Sequence, residues 1–189
     1  MEFQHVNIKI PVDGDLGVDP VVFIDVFHKW IQTRALDELL IDVADYRHVP
    51  NGPGVMLIGL QADYSMDHAR GAWGLRYNRK SPQPGGNADR FSMAWRRSAA
   101  ACRLMVSALA ERSLSLRFSR HEFELFVNDR ALAPNSLSTF DAARPELDSF
   151  IRGALGHDDY VLTHDADPRH LFGVRVRTDR AFETAALAS

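Results

Sequence analysis

Apolar and polar positions alternate clearly at the start of the chain. Val6, Ile8, Ile10 and Val12 fall on one side of an extended segment and Asn7 and Lys9 on the other. That pattern predicts a half-buried strand, and Pro11 places it at a sheet edge or marks its end. Asp19 and Pro20 then supply a capping carboxylate and a preset first helical residue. Val22, Phe23, Val26, Phe27, Trp30 and Ile31 follow at three- and four-residue spacing, an amphipathic helix over about 20–34. Two short apolar runs, residues 38–45 and 54–60, read as buried strands, and residues 73–79 alternate again.

A Pro- and Gly-rich loop at 81–87 leads into the longest helical pattern, residues 88 to about 111, with Asn87 placed to cap it. Its expected buried stripe is Phe91, Trp95, Cys102, Val106 and Leu109. Two alternating sets, Leu114 to Phe118 and Phe123 to Val127, predict a hairpin turning at residues 119–121. Residues 137–156 resume a helical pattern that Pro145 should break and Gly156 should end. Residues 158–178 read as a final hairpin with Asp167 and Pro168 in its loop. Consecutive strands on short links favour antiparallel pairing. The expected class is α+β: a mixed, mainly antiparallel sheet with about three helices packed on it.

Length changes this picture little. A chain of 189 residues suits one domain over 1–189, the alternative being two halves of about 1–112 and 113–189. A net charge of -3 argues against nucleic acid as a partner, since a basic stripe is the usual footprint. Cys102 is the single cysteine, which excludes an intrachain disulfide and a zinc-thiolate cluster. The N-terminal residues lack a signal-peptide pattern and no apolar run approaches a bilayer span, so the expected address is the cytoplasm, with no membrane partner.

The stretches "LLIDVADYRHVPNGPGVMLIG", "LRYNRK" and "FVNDRALAPN" resemble a family of uncharacterised bacterial hypothetical proteins. The resemblance runs over nearly the whole chain. It implies a soluble bacterial protein and brings no activity, cofactor or residue role.

Three groups of residues carry candidate chemistry. The first surrounds the run at 54–60. Asp45, His48 and Asp63 could form an acid-base site, and Asp45, His48, Asp67 and His68 could hold a divalent cation. No established ligand spacing is present, and polar turn residues account for the same pattern. The second is an anion pocket in which the "PNGPGV" turn presents backbone N–H groups beside Arg76, Arg79 and Lys80. The chain has neither GxxxxGK[ST] nor GxGxxG, and Pro53 has no N–H to donate. The third is association: Trp30, Trp73, Tyr64 and Tyr77 could anchor a partner where exposed, with core packing as the alternative.

The missing catalytic motifs favour a cytoplasmic binding or self-associating module, a homo-oligomer or a protein with a protein partner. The alternative is a small hydrolase-like enzyme using Asp and His groups near residues 42–68, with metal assistance in one version. Binding of a small molecule or anion without turnover lies between them. The sequence names no cofactor.

Overall fold

A computed structural model describes residues 1–182. It is an α+β fold in which every strand pairing is antiparallel. The elements run β1 (Val6–Pro11), α1 (Val22–Thr33), β2 (Leu40–Tyr46), β3 (Gly54–Gly59), β4 (Ala62–Asp67), β5 (Gly74–Arg79) and α2 (Asn87–Ala110). They continue with β6 (Glu122–Val127), α3 (Leu137–Leu155), β7 (Val161–His164) and β8 (Phe172–Arg177). The strands make one sheet in the order β2-β3-β4-β5-β1-β6-β8-β7. Because β1 bridges β5 and β6, a single sheet runs through both stretches of the chain.

Strand β1 is therefore central, and Pro11 marks its end, opposite Gly74. Both of its faces are buried: Ile8 is 0% exposed, and so is Asn7 on the other side. The half-buried strand expected from alternation is thus fully buried. The pleat sends alternate residues to opposite faces, so one apolar row crosses the sheet as Leu57, Tyr64, Tyr77, Ile8, Leu125 and Val174. Helices α1 and α2 cover this side, and α3 packs beside α2. Phe150 of α3 reaches the rings of Phe91 and Phe123 at 5.5 and 6.3 Å.

Several local expectations are corrected. Residues 62–67 form strand β4, buried along its whole length, where the sequence suggested only a polar strand end. Residues 114–118 make no strand beyond one bridge from Val12 to Phe118. Pro145 does not break α3, which is continuous and presents that proline to solvent. The α2 stripe uses Met105, 0% exposed, and leaves Val106 outside. A 3.6-residue period carries the buried face from Cys102 through Met105 to Leu109, where the expected stripe has Val106. Gly86, not Asn87, precedes the first helical turn, and Asn87 instead accepts from Phe3 N–H at 2.8 Å. Helix α1 starts at Val22, two residues later than Pro20, and its cap position Val21 has no side-chain cap; Asp19 instead receives the Val21 N–H at 2.9 Å in the turn before it.

Two cavities lie on the side of the sheet away from the helices. Asn51, from the β2–β3 connection, lines one cavity together with Thr163 and Arg175 of β7 and β8. Those strands lie six steps apart, about 29 Å along a flat sheet at the usual strand spacing. The β4–β5 connection folds over this face, held by Lys9 at the Ala69 and Ala72 carbonyls, and its His68 N–H donates to the Gly52 carbonyl, so Asn51 is carried toward the far strands. The concave side is the one the helices leave uncovered.

Candidate functional site

The concave side carries a polar row. Ser65, Arg76, Lys9, Glu124, Arg175 and Thr163 are successive cross-strand neighbours on β4, β5, β1, β6, β8 and β7. The next row holds Asp63, Asn78, Asn7 and Phe126. Charged side chains in a central sheet need partners, because removing an ion from water costs several kcal/mol.

Lys9 is fully satisfied. Its ammonium, 4% exposed, donates to Asp67 Oδ1 at 2.7 Å, to the Ala69 carbonyl at 2.9 Å and to the Ala72 carbonyl at 2.7 Å. All three N–H bonds are used, so Lys9 fastens the β4–β5 connection to the sheet. Glu124 is held by Nε of Arg175 at 3.0 Å and also by its Nη2. Both pairs are closed, and neither leaves charge to offer.

Arg76 differs. Its Nη1 is 3.6 Å from Asp67 Oδ2, beyond hydrogen-bond reach, and its buried Nε has no acceptor. Its guanidinium lies 5.4 Å from the centre of the Phe126 ring, and that of Arg70 lies 4.7 Å away. Arg130 donates only to backbone carbonyls, those of Arg169 at 2.6 Å and Pro168 at 3.5 Å. Among the described residues no carboxylate lies within 4 Å of Arg130.

These groups surround a cavity of about 250 Å³. Lys9, Arg70, Arg76, Arg130 and Arg169 line it against only two carboxylates, Asp67 and Glu124. A protein of net charge -3 thus concentrates positive charge at one concave place. A neighbouring cavity of about 880 Å³ shares Ala69, Arg70, Glu124 and His170 with it. Arg70 closes the space between them. Its Nη1 meets Asp165 Oδ2 at 2.8 Å, tying the β4–β5 connection to the β7–β8 connection. Arg70 adopts a left-handed backbone, φ 65°, uncommon for a residue with a Cβ.

The residues suggested by the sequence are placed differently. Asp45 shares a parity with Val55 on the helix side of the sheet and pairs with Arg47 at 2.8 Å. That guanidinium and the Arg47 N–H hold its carboxyl down at about 2. His48 is exposed in the turn beyond. Asp63 lies on the concave side and is taken by Lys80 at 2.7 Å and by the Gly59 N–H at 3.2 Å. Asp67 is four residues further along β4, about 13 Å away, bound to Lys9. His68 stacks on Trp73, ring centres 4.6 Å apart. The structure does not bring these carboxylates and imidazoles together, and among the described residues no cluster of three His, Cys, Asp or Glu is placed to hold a metal.

The proposed anion turn is also corrected. The Gly52 N–H donates to the Val49 carbonyl at 3.0 Å and is not free for an anion. Gly54 has φ +65° and lies where a Cβ would stand 2.0 Å from the Met66 carbonyl oxygen, so its glycine serves close packing. Arg76, Arg79 and Lys80 do not act together. Arg79 projects to the helix side, bound to the Ser81 carbonyl and Gln61, while Lys80 is spent on Gly59 and Asp63. Only Arg76 faces the cavity. The aromatic anchors turn inward: Tyr64, Tyr77 and Trp30 are at most 3% exposed and Trp73 is half-buried.

Sequence reasoning missed Arg70, Phe126, Arg130, Arg169 and His170. They sit in connections or on the face assumed to be solvated. One signal was present: Lys9, Glu124 and Arg175 each stand between two apolar residues in the middle of a strand.

No protein-family model matches the chain, and no curated protein matches it. Among the described residues no helix is long and apolar enough to cross a membrane.

Proposed function

We propose that this protein binds a small organic anion, carboxylate or phosphate, in the concave pocket of its sheet. The carrying observation is Arg76, a sheet guanidinium with a buried N–H lacking any acceptor and no carboxylate in hydrogen-bond reach. Arg130, whose charge no described carboxylate offsets, is the second contact, and the two supply donors in the planar arrangement that suits an oxyanion. The closed pairs Lys9–Asp67 and Glu124–Arg175 hold the floor rigid, so little ordering is needed on binding.

Calorimetric titration with sulfate, phosphate and succinate tests this reading. Binding of at least one by the wild type, lost in the Arg76→Ala, Arg130→Ala double variant, is the expected result. Equal binding by both proteins, or binding of none of the three, overturns it.

Self-association is a second proposal with its own observation. Leu39, Ile41 and Leu60 are 64%, 55% and 57% exposed beside β2, whose outer edge has no partner strand. Light scattering of the wild type and of Ile41→Asp tests it: a dimer that the substitution dissociates supports it, and a monomer in both removes it.

A further inference from the structure

This inference rests on the anion-binding reading. His170 lines both concave cavities. Its Nδ1 is 2.8 Å from Asp165 Oδ2, the same oxygen that receives Arg70 Nη1. Burial alone would raise the Asp165 carboxyl, but the Asp167 N–H, His170 and Arg70 outweigh it and hold the group below the usual carboxylate range. An ionised carboxylate only accepts, so the proton on Nδ1 stays in both charge states of the ring. In the imidazolium the second ring proton is therefore the one on Nε2.

Among the described residues none is within hydrogen-bond distance of that second nitrogen. Its nearest carboxylate, Asp167 Oδ2, is 3.9 Å away, too far for a hydrogen bond. Asp167 is already taken by Nε, Nη2 and the backbone N–H of Arg169. The other charged groups around the pocket come from every neighbouring element. Lys9 with Asp67 and Glu124 with Arg175 pair off on the sheet floor, and Arg70 is held by Asp165. Arg177 is held by Glu122 and the His164 imidazole meets Asn135 Oδ1 through Nε2, so what is left over is the charge of Arg130 and the part of Arg76's that Asp67, 3.6 Å away and already held by Lys9, does not offset. A proton arriving on Nε2 adds to that excess and creates one more donor.

We propose that His170 is an anion-contacting residue that engages only as imidazolium, so that ligand binding takes up a proton and tightens toward mild acid. Asp165 is its positioning residue. Anion occupancy and proton occupancy raise one another by the same factor.

Calorimetric titration with sulfate, whose double negative charge does not change between pH 5.5 and 8.5, tests this. The wild type should bind about tenfold more tightly at the acid end, the effect of one pK unit of coupling. Titrations in two buffers of different ionisation enthalpy should show net proton uptake near pH 7. His170→Gln should bind at the level the wild type shows at pH 8.5, with no pH dependence and no proton uptake. Sulfate binding that tightens equally in wild type and His170→Gln overturns the role of His170 and leaves the pocket standing. Absence of sulfate binding at every pH overturns the proposal too, and an accompanying failure with phosphate and succinate removes the pocket itself.

Discussion

Ile8 and Lys9 are adjacent in sequence, and both are almost wholly buried, yet they belong to different kinds of interior. Ile8 joins a row of apolar side chains under the helices, where stability comes from removing hydrocarbon from water, about 25 cal/mol per Å². Lys9 joins a row of paired charges on the concave side, where desolvation is offset only by complete hydrogen bonding. The helix side tolerates exchange of one hydrocarbon for another of similar volume. The concave side tolerates removal of whole pairs but not of single partners. One sheet thus separates a face that holds the fold together from a face able to meet a charged ligand.

That contrast can be broken in order of effect. Lys9→Met leaves the buried Asp67 carboxylate with only the Ala69 N–H and the more distant Arg76, and should cost about 3 kcal/mol in urea unfolding. The Lys9→Met, Asp67→Leu double variant should recover most of that loss. If both variants lose the same stability, the concave face is not built from closed pairs. Ile8→Val, one residue away, should cost only about 0.5–1.5 kcal/mol and leave sulfate affinity unchanged.

Arg76→Ala sharpens the comparison from the other direction. Its stability should change by about 1 kcal/mol or less, the scale of its cation–π contact with Phe126, because it belongs to no closed pair. Sulfate affinity measured by calorimetry should fall roughly tenfold to a hundredfold, the worth of a hydrogen bond to a charged group. Stability lost without any change in affinity would make Arg76 a structural residue like Lys9.

The smallest effects are expected at Asp45 and His48. Alanine at either position should leave sulfate affinity unchanged, since both lie outside the concave pocket. Asp45 should still show in acid unfolding. Its carboxyl is held at about 2 by Arg47, below the value near 4 that an unfolded chain has. A depressed folded value stabilises above about pH 4 and loses that contribution as the pH falls through about 2. Comparing wild type with Asp45→Asn between pH 5 and 2 should show the gap closing as the pH drops.

Much of the architecture was legible because local patterns suffice for it. Phe23, Val26, Phe27 and Trp30 declare α1 by spacing alone, and all four are buried as that spacing implies. Strand β4 was not legible, because Asp63, Ser65 and Asp67 break the apolar run that marks a buried strand. Their burial depends on Lys80, on Lys9 and on the β4–β5 connection that Lys9 holds over this face. The site was legible only in fragments: Arg76 was singled out, but beside Arg79 and Lys80, which the pleat and their own partners direct elsewhere.

The sequence by itself determined the helices, most strands and the antiparallel character of the sheet, since those follow from the period of apolar residues and from short connections. Only the tertiary structure decided which polar residues meet. Arg70 and Asp165 are 95 positions apart, and so distant a pair is brought to 2.8 Å by the strand order and by a β4–β5 connection folded over the sheet. No local period encodes either of those, because both arise from the packing of all eight strands at once.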